Sequence, residues 1–392
     1  MNRPIPRRVP TDEPAPAAQP TAPSMRVADE PVTRVRALDR RLAARLPLSK
    51  SHVRNAILEP RTRVPALNAS APIHRDLIVI GASAGALRVL LQLAAELPEG
   101  FPPVLVVQHI GRHLSVLPEL LGSAGPHRAF HPVSGQKITN GTFLIAPPDH
   151  HMLVSDGEIV LTMGPKENFA RPAIDPLFRS AAIAYGPRTI GVVLSGRLDD
   201  GTAGLQAIKA AGGLTVVQEP DDAKEPEMPR SALACIDVDR VTTGAMLAEV
   251  LQELVRVPIT RHDDLPRAIR AEHALTLDRS DAMERIDDIG TRSDLACPEC
   301  GGVLWQVNGS RPCRFRCHTG HAFSLTTLDD CQASQADVAL WAALRALHER
   351  HRVLLMMLEL HDADDPAVAT WRLEEERVRH RIEVLRNMAD DE

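Results

Sequence analysis

The segment Asp76–Ala86 constrains the fold more than any other part of the chain. It begins with the apolar run Leu77–Ile80, which predicts a buried strand, and Leu87–Ala95 then repeats apolar residues at helical spacing. Ser83 therefore lies on a tight strand-to-helix turn, at the positive end of a helix. Such a turn exposes an Oγ and offers backbone N–H groups to a developing oxyanion, so the segment predicts a serine nucleophile.

Apolar runs and helical patterns alternate from about residue 75 to residue 257. Helical spacing occurs at 87–97, 175–184 and 203–211, and Met246–Val255 is typical of an amphipathic closing helix. This alternation predicts βαβ units and an α/β fold, a mostly parallel doubly wound sheet with helices on both faces. The runs predicted as strands are Leu77–Ile80, Val104–Val107, Phe143–Ala146, Ile159–Leu161, Ile190–Leu194 and Leu214–Val217.

The rest of the chain divides by composition. Residues 1–72 are rich in Pro and Arg and lack aromatic residues, which predicts a disordered, solvated tail, with contact to acidic partners as the alternative. Residues 258–293 are polar and predict a linker with one short helix. A cysteine cluster occupies 294–325, and the apolar spacing of 331–392 predicts a helical hairpin. The hairpin either packs on its own domain or mediates self-association or partner binding.

No apolar run approaches the ~20 residues of a membrane helix, and the start of the chain lacks the apolar region of a signal peptide. We therefore predict a cytoplasmic protein without membrane insertion. Of the 6 cysteines, most lie close together between Cys297 and Cys317. Such clustering in a cytoplasmic chain indicates a metal site rather than disulfides.

A serine nucleophile needs a base and an acid that orients the base. His109 directly follows the predicted strand Val104–Val107, and Asp199 and Asp200 follow a later one. Because the carboxyl ends of parallel strands meet at one edge of the sheet, these groups are candidates for a triad with Ser83. A dinucleotide-binding loop fits less well, because Ser83 replaces the second glycine of G-x-G-x-x-G.

Two cysteine knuckles predict a structural zinc site. Zinc takes four Cys or His ligands in a tetrahedron, and a short apolar hairpin at Val303–Val307 separates the knuckles, as in zinc ribbons. Cys313 and His318 are alternative ligands. A full set of four protein ligands leaves no open position for catalysis. The predicted ligands are Cys297, Cys300, Cys317 and His321.

Several blocks of the domain resemble the catalytic domain of CheB-type protein-glutamate methylesterases of bacterial chemotaxis. They keep the family's order over roughly 180 residues, and a segment similar to 297–321 follows the esterase in forms of the family without a receiver domain. The blocks are Val79–Gly85, Val106–His109, Ile145–Met152, Arg171–Phe178, Gly191–Gly196, Asp200–Gly204 and Met228–Ala232.

The resemblance implies a function and its residues. Ser83 would be the nucleophile, His109 the base and Asp200 the orienting acid, with Asp199 as a turn residue. The implied reaction is hydrolysis of glutamate γ-methyl esters on chemoreceptors without a catalytic cofactor, and some members also deamidate receptor glutamine. The resemblance also favours His321 over His318 as the fourth zinc ligand.

The chain departs from the family pattern at three places. Ala84 and Ala86 stand where the family has Thr and Gly, so a polar side chain beside the nucleophile is lost. Arg197-Leu198 replaces a Met-Gly pair. We predict that Arg197, together with Arg171 of a matched block, binds the substrate, although a surface role for Arg197 is the alternative. No segment before the domain resembles a receiver, so regulation by self-phosphorylation is not expected.

Two other functions compete with the esterase. The domain could be a non-catalytic scaffold that binds receptor-like partners together with the ribbon, but the complete triad favours an enzyme. A nucleic-acid binder is not expected, because the ribbon lacks dense Lys and Arg interleaved with aromatic residues.

Overall fold

The computed structural model describes residues 74–110, 114–259, 265–277 and 282–390. The predicted tail, residues 1–72, lies outside them. The strands are β1 (Leu77–Ala82), β2 (Val104–Gln108), β3 (Arg128–Phe130), β4 (Thr142–Ile145), β5 (His151–Ser155), β6 (Glu158–Thr162), β7 (Thr189–Val193), β8 (Leu214–Gln218), β9 (Arg240–Thr242), β10 (Gly290–Ala296), β11 (Val303–Val307), β12 (Arg314–Cys317) and β13 (Ala322–Ser324). The α-helices are α1 (Leu87–Glu96), α2 (Leu117–Ala124), α3 (Ile174–Tyr185), α4 (Thr202–Ala210), α5 (Glu227–Cys235), α6 (Leu247–Leu254), α7 (Arg267–Thr276), α8 (Ala282–Ile289), α9 (Leu325–Leu360) and α10 (Pro366–Asp390).

Seven parallel strands form the central sheet, in the order β3-β4-β2-β1-β7-β8-β9. Side chains of β1 alternate between two cores, since successive residues of a strand point to opposite faces. Ile78 and Ile80 pack with α1, α2 and α6, whereas Leu77 and Val79 pack with α3, α4 and α5. The prediction of a doubly wound sheet with helices on both faces is confirmed.

The strand order reverses at the centre of the sheet. From β1 the chain first builds the side that contains β2, β4 and β3, and then returns to build β7, β8 and β9 on the other side. A crevice opens outside the carboxyl ends of strands at such a switch point. Ser83 follows β1 and Ser195 follows β7, so both lie at this point.

Residues Ile159–Leu161 form a strand, but not in the central sheet. They belong to β6, which pairs antiparallel with β5 as a separate two-stranded sheet. Asp156 (φ 49°) and Gly157 (φ 79°) form the turn, and the Asp-Gly pair suits the two left-handed positions of a tight hairpin. His151 begins β5 and is fully buried.

The C-terminal part contains a second sheet and two long helices. The interval 258–293, predicted as a linker, contains α7, α8 and the start of β10. Strands β10 to β13 form an antiparallel sheet in chain order. Helices α9 and α10 form the predicted helical hairpin, which is confirmed, and it begins at Leu325 rather than near residue 331. Its small core consists of Leu344, Leu354, Val378 and Ile382.

Candidate active site and metal centre

Ser83 occupies a turn that the neighbouring strand end holds in place. Its N–H donates to the Ser195 carbonyl at 3.0 Å. The buried Ser195 Oγ donates to the Ala84 carbonyl at 2.7 Å, and Gly85 takes φ +85°, a left-handed value that favours glycine. On the other side, a Cβ at Gly196 would collide with the Met228 Sδ and lie 2.7 Å from the Ser83 Cβ. The turn therefore has one tightly packed conformation.

His109 joins Ser83 to Asp200. The His109 Nδ1 lies 3.2 Å from the Ser83 Oγ, and its Nε2 lies 2.8 Å from the Asp200 Oδ2. With a proton on Nε2 donated to the carboxylate, Nδ1 is free to accept the Oγ proton. The structure thus brings together the three residues predicted as a triad, each from the carboxyl end of a different parallel strand.

Asp200 is 2% exposed and accepts hydrogen bonds from three further groups. The N–H groups of Ile174 and Asp175 lie at 2.7 and 3.2 Å, and the Asn168 Nδ2 donates to Oδ1 at 3.1 Å. Burial alone would raise the pKa of Asp200, but the hydrogen bond from His109 and these donors hold that pKa below its usual range. The carboxylate therefore stays ionised and can orient the imidazole.

The two neighbouring aspartates have other contacts. Asp199 accepts a hydrogen bond from the Ser324 Oγ at 2.6 Å, and burial raises its pKa. Asp175 Oδ1 accepts from the N–H groups of Gly201 and Gly204 at 3.1 and 2.6 Å. Burial and the nearby Asp200 carboxylate raise the pKa of Asp175. Neither residue contacts His109 in the described structure, so Asp200 is the candidate acid.

Arg171 and Arg197 lie on different parts of the site. Arg171 lines a groove of about 370 Å³ together with His109 and Phe169. Its guanidinium donates to the Asp149 carboxylate and to two backbone carbonyls of the same loop, so it braces the groove wall. The Arg197 side chain is exposed. Substrate binding by these two arginines stays a prediction.

Leu198 takes φ +62°, a left-handed conformation that a leucine rarely adopts. It is the position at which the family pattern has glycine. The Leu198 N–H donates to the Glu227 carboxylate at 2.7 Å, which holds the backbone in this conformation. The chain therefore keeps a glycine-like loop beside the triad without the glycine.

Cys297, Cys300, Cys317 and His321 form one group, in which all donor atoms lie within 4.8 Å of one another. Tetrahedral Zn²⁺ with Zn–S near 2.3 Å and Zn–N near 2.0–2.1 Å requires S–S and S–N separations of about 3.8 and about 3.6 Å. The Sγ atoms of Cys300 and Cys317 are 3.7 Å apart, and the Cys317 Sγ lies 3.5 Å from the His321 Nδ1. The donor set fits zinc.

The alternative ligands lie outside this group. The Cys313 Sγ accepts a hydrogen bond from Gln306 at 3.3 Å, and the His318 ring packs against Gly302. With three thiolates and one imidazole in place, a metal here has all four positions filled by protein. Its chemistry would be structural.

Sequence reasoning missed Asn168, Ser195 and Asp175 as residues of the site. Asp175 lies in a matched block, but we assigned it no role. Asn168 lies in the loop shortly before Arg171, which begins a matched block. The available sequence signal for Asn168 was a polar residue next to that block. Ser195 lies at the end of β7, the strand edge that guided the choice of the other candidates.

The structure brings a serine, a histidine and an aspartate together at the carboxyl edge of a parallel sheet, the set of side chains that serine hydrolases use. Comparison with known proteins gives the family. Residues 78–257 match the family model described as CheB methylesterase. A Leptospira interrogans protein provisionally named protein-glutamate methylesterase/protein-glutamine glutaminase is 36% identical over 189 residues, which cover 46% of this chain and 96% of that protein.

A second relative is protein-glutamate methylesterase/protein-glutamine glutaminase 1 of Paramagnetospirillum magneticum, 34% identical over 52% of this chain and 58% of its own length. A crystal structure of the Thermotoga maritima CheB methylesterase catalytic domain aligns with 47% of this chain and 100% of its own, at 31% identity and a TM-score of 0.45. The chain belongs to the CheB methylesterase family. Membership confirms the resemblance and the prediction of an enzyme that hydrolyses carboxylic esters.

Proposed function

We propose that this protein is a protein-glutamate methylesterase that hydrolyses glutamate γ-methyl esters on chemoreceptor-like signalling proteins. The observation that carries the proposal is the chain of contacts from Ser83 through His109 to Asp200, at 3.2 and 2.8 Å. The names of the relatives support the same activity.

In the proposed reaction the Ser83 Oγ attacks the ester carbonyl carbon while the His109 Nδ1 takes its proton. Asp200 accepts the hydrogen bond from Nε2 and stabilises the imidazolium. The proton then passes to the departing methoxide, which leaves as methanol. Water, deprotonated by the same nitrogen, then attacks the acyl carbonyl carbon. The Ser83 Oγ leaves and takes this proton back from Nδ1, which releases the glutamate side chain. Attack on a receptor glutamine would follow the same path with ammonia as the leaving group.

Backbone N–H groups next to Ser83 are the proposed oxyanion donors. Among the residues that the structure describes, the N–H groups of Ala84 and Arg197 donate to no protein acceptor. Ala84 follows the nucleophile directly. Arg197 follows Gly196, which packs against Ser83. Free donors in this position suit the negative oxygen of a tetrahedral intermediate, and they need no reorganisation during the reaction.

The remaining features give the protein's wider setting. We propose that the Cys₃His group holds a structural Zn²⁺, that no catalytic cofactor is needed, and that the enzyme acts in the cytoplasm. Among the described helices none is long and apolar enough to span a membrane. Exposed apolar residues on the hairpin, such as Trp341 and Met356, support self-association through it.

Methanol release from a methylated chemoreceptor cytoplasmic fragment tests the proposal. We expect release by the wild type and a loss of about 10³-fold or more in Ser83→Ala, because the acyl-enzyme cannot form. The matched control is Ser123→Ala, since Ser123 is an exposed serine whose Oγ binds only a carbonyl of its own helix. It should keep wild-type activity.

Equal release by wild type and Ser83→Ala would contradict a serine mechanism. A wild type that binds the fragment but releases no methanol would instead support the non-catalytic scaffold.

A further inference from the structure

The C-terminal ribbon contacts the catalytic site through Ser324. This residue is 2% exposed, ends β13 and caps α9, with its Oγ accepting the Thr327 N–H at 3.0 Å. Its Oγ also donates to Asp199 at 2.6 Å, one residue before the triad aspartate. Its backbone N–H donates to the Asn168 Oδ1 at 3.0 Å. One residue of the ribbon thus contacts two neighbours of Asp200: Asp199, next to it in the chain, and Asn168, which donates to its carboxylate.

The contact with Ser324 fixes which end of the Asn168 amide faces the triad. A backbone N–H requires an oxygen as its acceptor, so the Oδ1 turns towards Ser324 and the Nδ2 turns towards Asp200. The Nδ2 donates to the Asp200 Oδ1 at 3.1 Å, whereas His109 binds the other carboxylate oxygen. Asn168 therefore limits rotation of the carboxylate that orients the base.

The ribbon also holds the backbone of the loop that carries Asn168. The Asn168 N–H donates to the Ala322 carbonyl at 2.8 Å, and the Phe169 ring packs on Phe323 with centroids 5.2 Å apart. Asn168 and Phe169 take φ +50° and +59°, left-handed values that local sequence does not favour for phenylalanine. Strand β13 supplies the contacts that keep this conformation.

We infer that Asn168 and Ser324 are positioning residues for the triad, so that the C-terminal ribbon is an integral part of the catalytic site. The inference rests on the proposed serine mechanism. In the described structure neither residue hydrogen-bonds to Ser83 or His109, so both act through Asp200. Ser324 orients the Asn168 amide, and the amide holds the Asp200 carboxylate in the plane in which it meets His109. The folded ribbon therefore influences the reactivity of Ser83, although no side chain of the ribbon takes part in the reaction.

Two substitutions at Ser324 distinguish the effect of losing its backbone N–H from the effect of losing its hydroxyl. Proline lacks the N–H, and its fixed φ near −65° fits Ser324, whose φ is −73°. Ser324→Ala is the matched control, because it removes the Oγ and keeps the N–H. Each is compared in the wild-type background and in Asn168→Gly, since glycine accepts the left-handed conformation at that position.

The readout is the rate at which a fluorophosphonate probe labels Ser83 in the full-length, zinc-loaded protein, together with kcat and KM for methanol release. We expect Ser324→Pro to react at least about 10-fold more slowly than Ser324→Ala, in kcat rather than KM. The difference should disappear in the Asn168→Gly background. Equal rates for the two variants, or a difference that persists without Asn168, would overturn the inference.

Thermal unfolding and bound zinc are measured for every variant. If Ser324→Pro does not fold, Asn168→Gly alone tests the positioning role. We expect this variant to be labelled more slowly than the wild type while its zinc content is unchanged. An unchanged labelling rate would refute the positioning role. Wild-type protein labelled at Ser83, and Ser83→Ala not labelled, confirm the nucleophile independently. Absence of labelling in the wild type would overturn the serine mechanism and this inference together.

Discussion

At the scale of single residues, both close packing and hydrogen bonds hold Ser83, the candidate nucleophile, in place. Ser83 lies between the Ser195 carbonyl and Gly196, and neither neighbour leaves space for displacement. Sequence reasoning selected Ser83 and His109 as candidate nucleophile and base because each directly follows a strand of a parallel sheet. It could not find Asn168, whose partners Asp200 and Ser324 lie 32 and 156 residues further along the chain. Contacts of that range depend on the folded loop rather than on a local pattern.

Gly196→Ala should lower activity about 10²-fold. The added Cβ would lie 2.7 Å from the Ser83 Cβ and collide with Met228, so the nucleophile must move. A displacement near 1 Å costs about 10²-fold in rate, which methanol release will measure. Gly122→Ala is the control, because its new Cβ would meet Ala129 at an ordinary 3.7 Å. Wild-type activity in Gly196→Ala would show that the turn can relax.

At the scale of elements, the alternation of apolar runs and helical patterns predicted the central sheet well. It did not place β6, because an apolar run of three residues fits a hairpin as well as a parallel strand. The Asp156-Gly157 pair was the available signal for that turn. The sequence predicted one short helix within 258–293 without placing it, and the structure has two, α7 and α8. The inward face of α7 carries Glu272 as well as apolar residues such as Leu275. A pattern of apolar residues cannot reveal a helix that is held partly by buried charge.

The Cys₃His group should bind one Zn²⁺ and stabilise the ribbon. Cys300→Ser and Cys317→Ser each remove a thiolate, so we expect both variants to lose bound zinc, measured by atomic emission, and to unfold at lower temperature. Binding of structural zinc contributes on the order of 10 kcal/mol to such modules. Cys331 lies outside the group, so the control variant Cys331→Ser should retain the metal. Full zinc occupancy in Cys317→Ser would contradict the assigned ligands.

At the scale of the whole molecule, a buried ion cluster joins the ribbon to the esterase domain. Glu272 of α7 pairs with Arg314 and Arg316 of β12 and with Arg179 of α3, and Glu167 binds Arg179 at 2.7 Å. Burial opposes ionisation, but Arg314, Arg316 and Arg179 lower the pKa of Glu272 to about 2. Arg179 and Arg316 likewise hold the pKa of Glu167 below its usual range. The esterase domain and the ribbon, which the sequence predicted as separate domains, therefore share buried ion pairs.

This cluster predicts acid sensitivity. The pKa of Glu272 is lower in the folded state than its ordinary 4.5, so its ionisation stabilises the fold above pH 4.5, and this contribution is lost as the pH falls towards about 2. We expect the denaturation midpoint to fall over that range. The exposed Glu253 gives a control, Glu253→Gln, that should keep the wild-type slope. Glu272→Gln should be less stable at neutral pH, and its denaturation midpoint should change less with pH between 4.5 and about 2. The same dependence of the midpoint on pH as in the wild type would exclude Glu272 as the cause.

The contact between Ser324 and Asn168 has a consequence for biosynthesis. Ribosomes release a chain from its N-terminus onwards, so Ser83, His109 and Asp200 emerge well before residue 324. A nascent polypeptide that has completed the parallel sheet still lacks the donor that orients the Asn168 amide. Full reactivity of the serine would therefore arise late in translation, and a chain truncated before β13 would leave the ribosome with an assembled but poorly aligned triad.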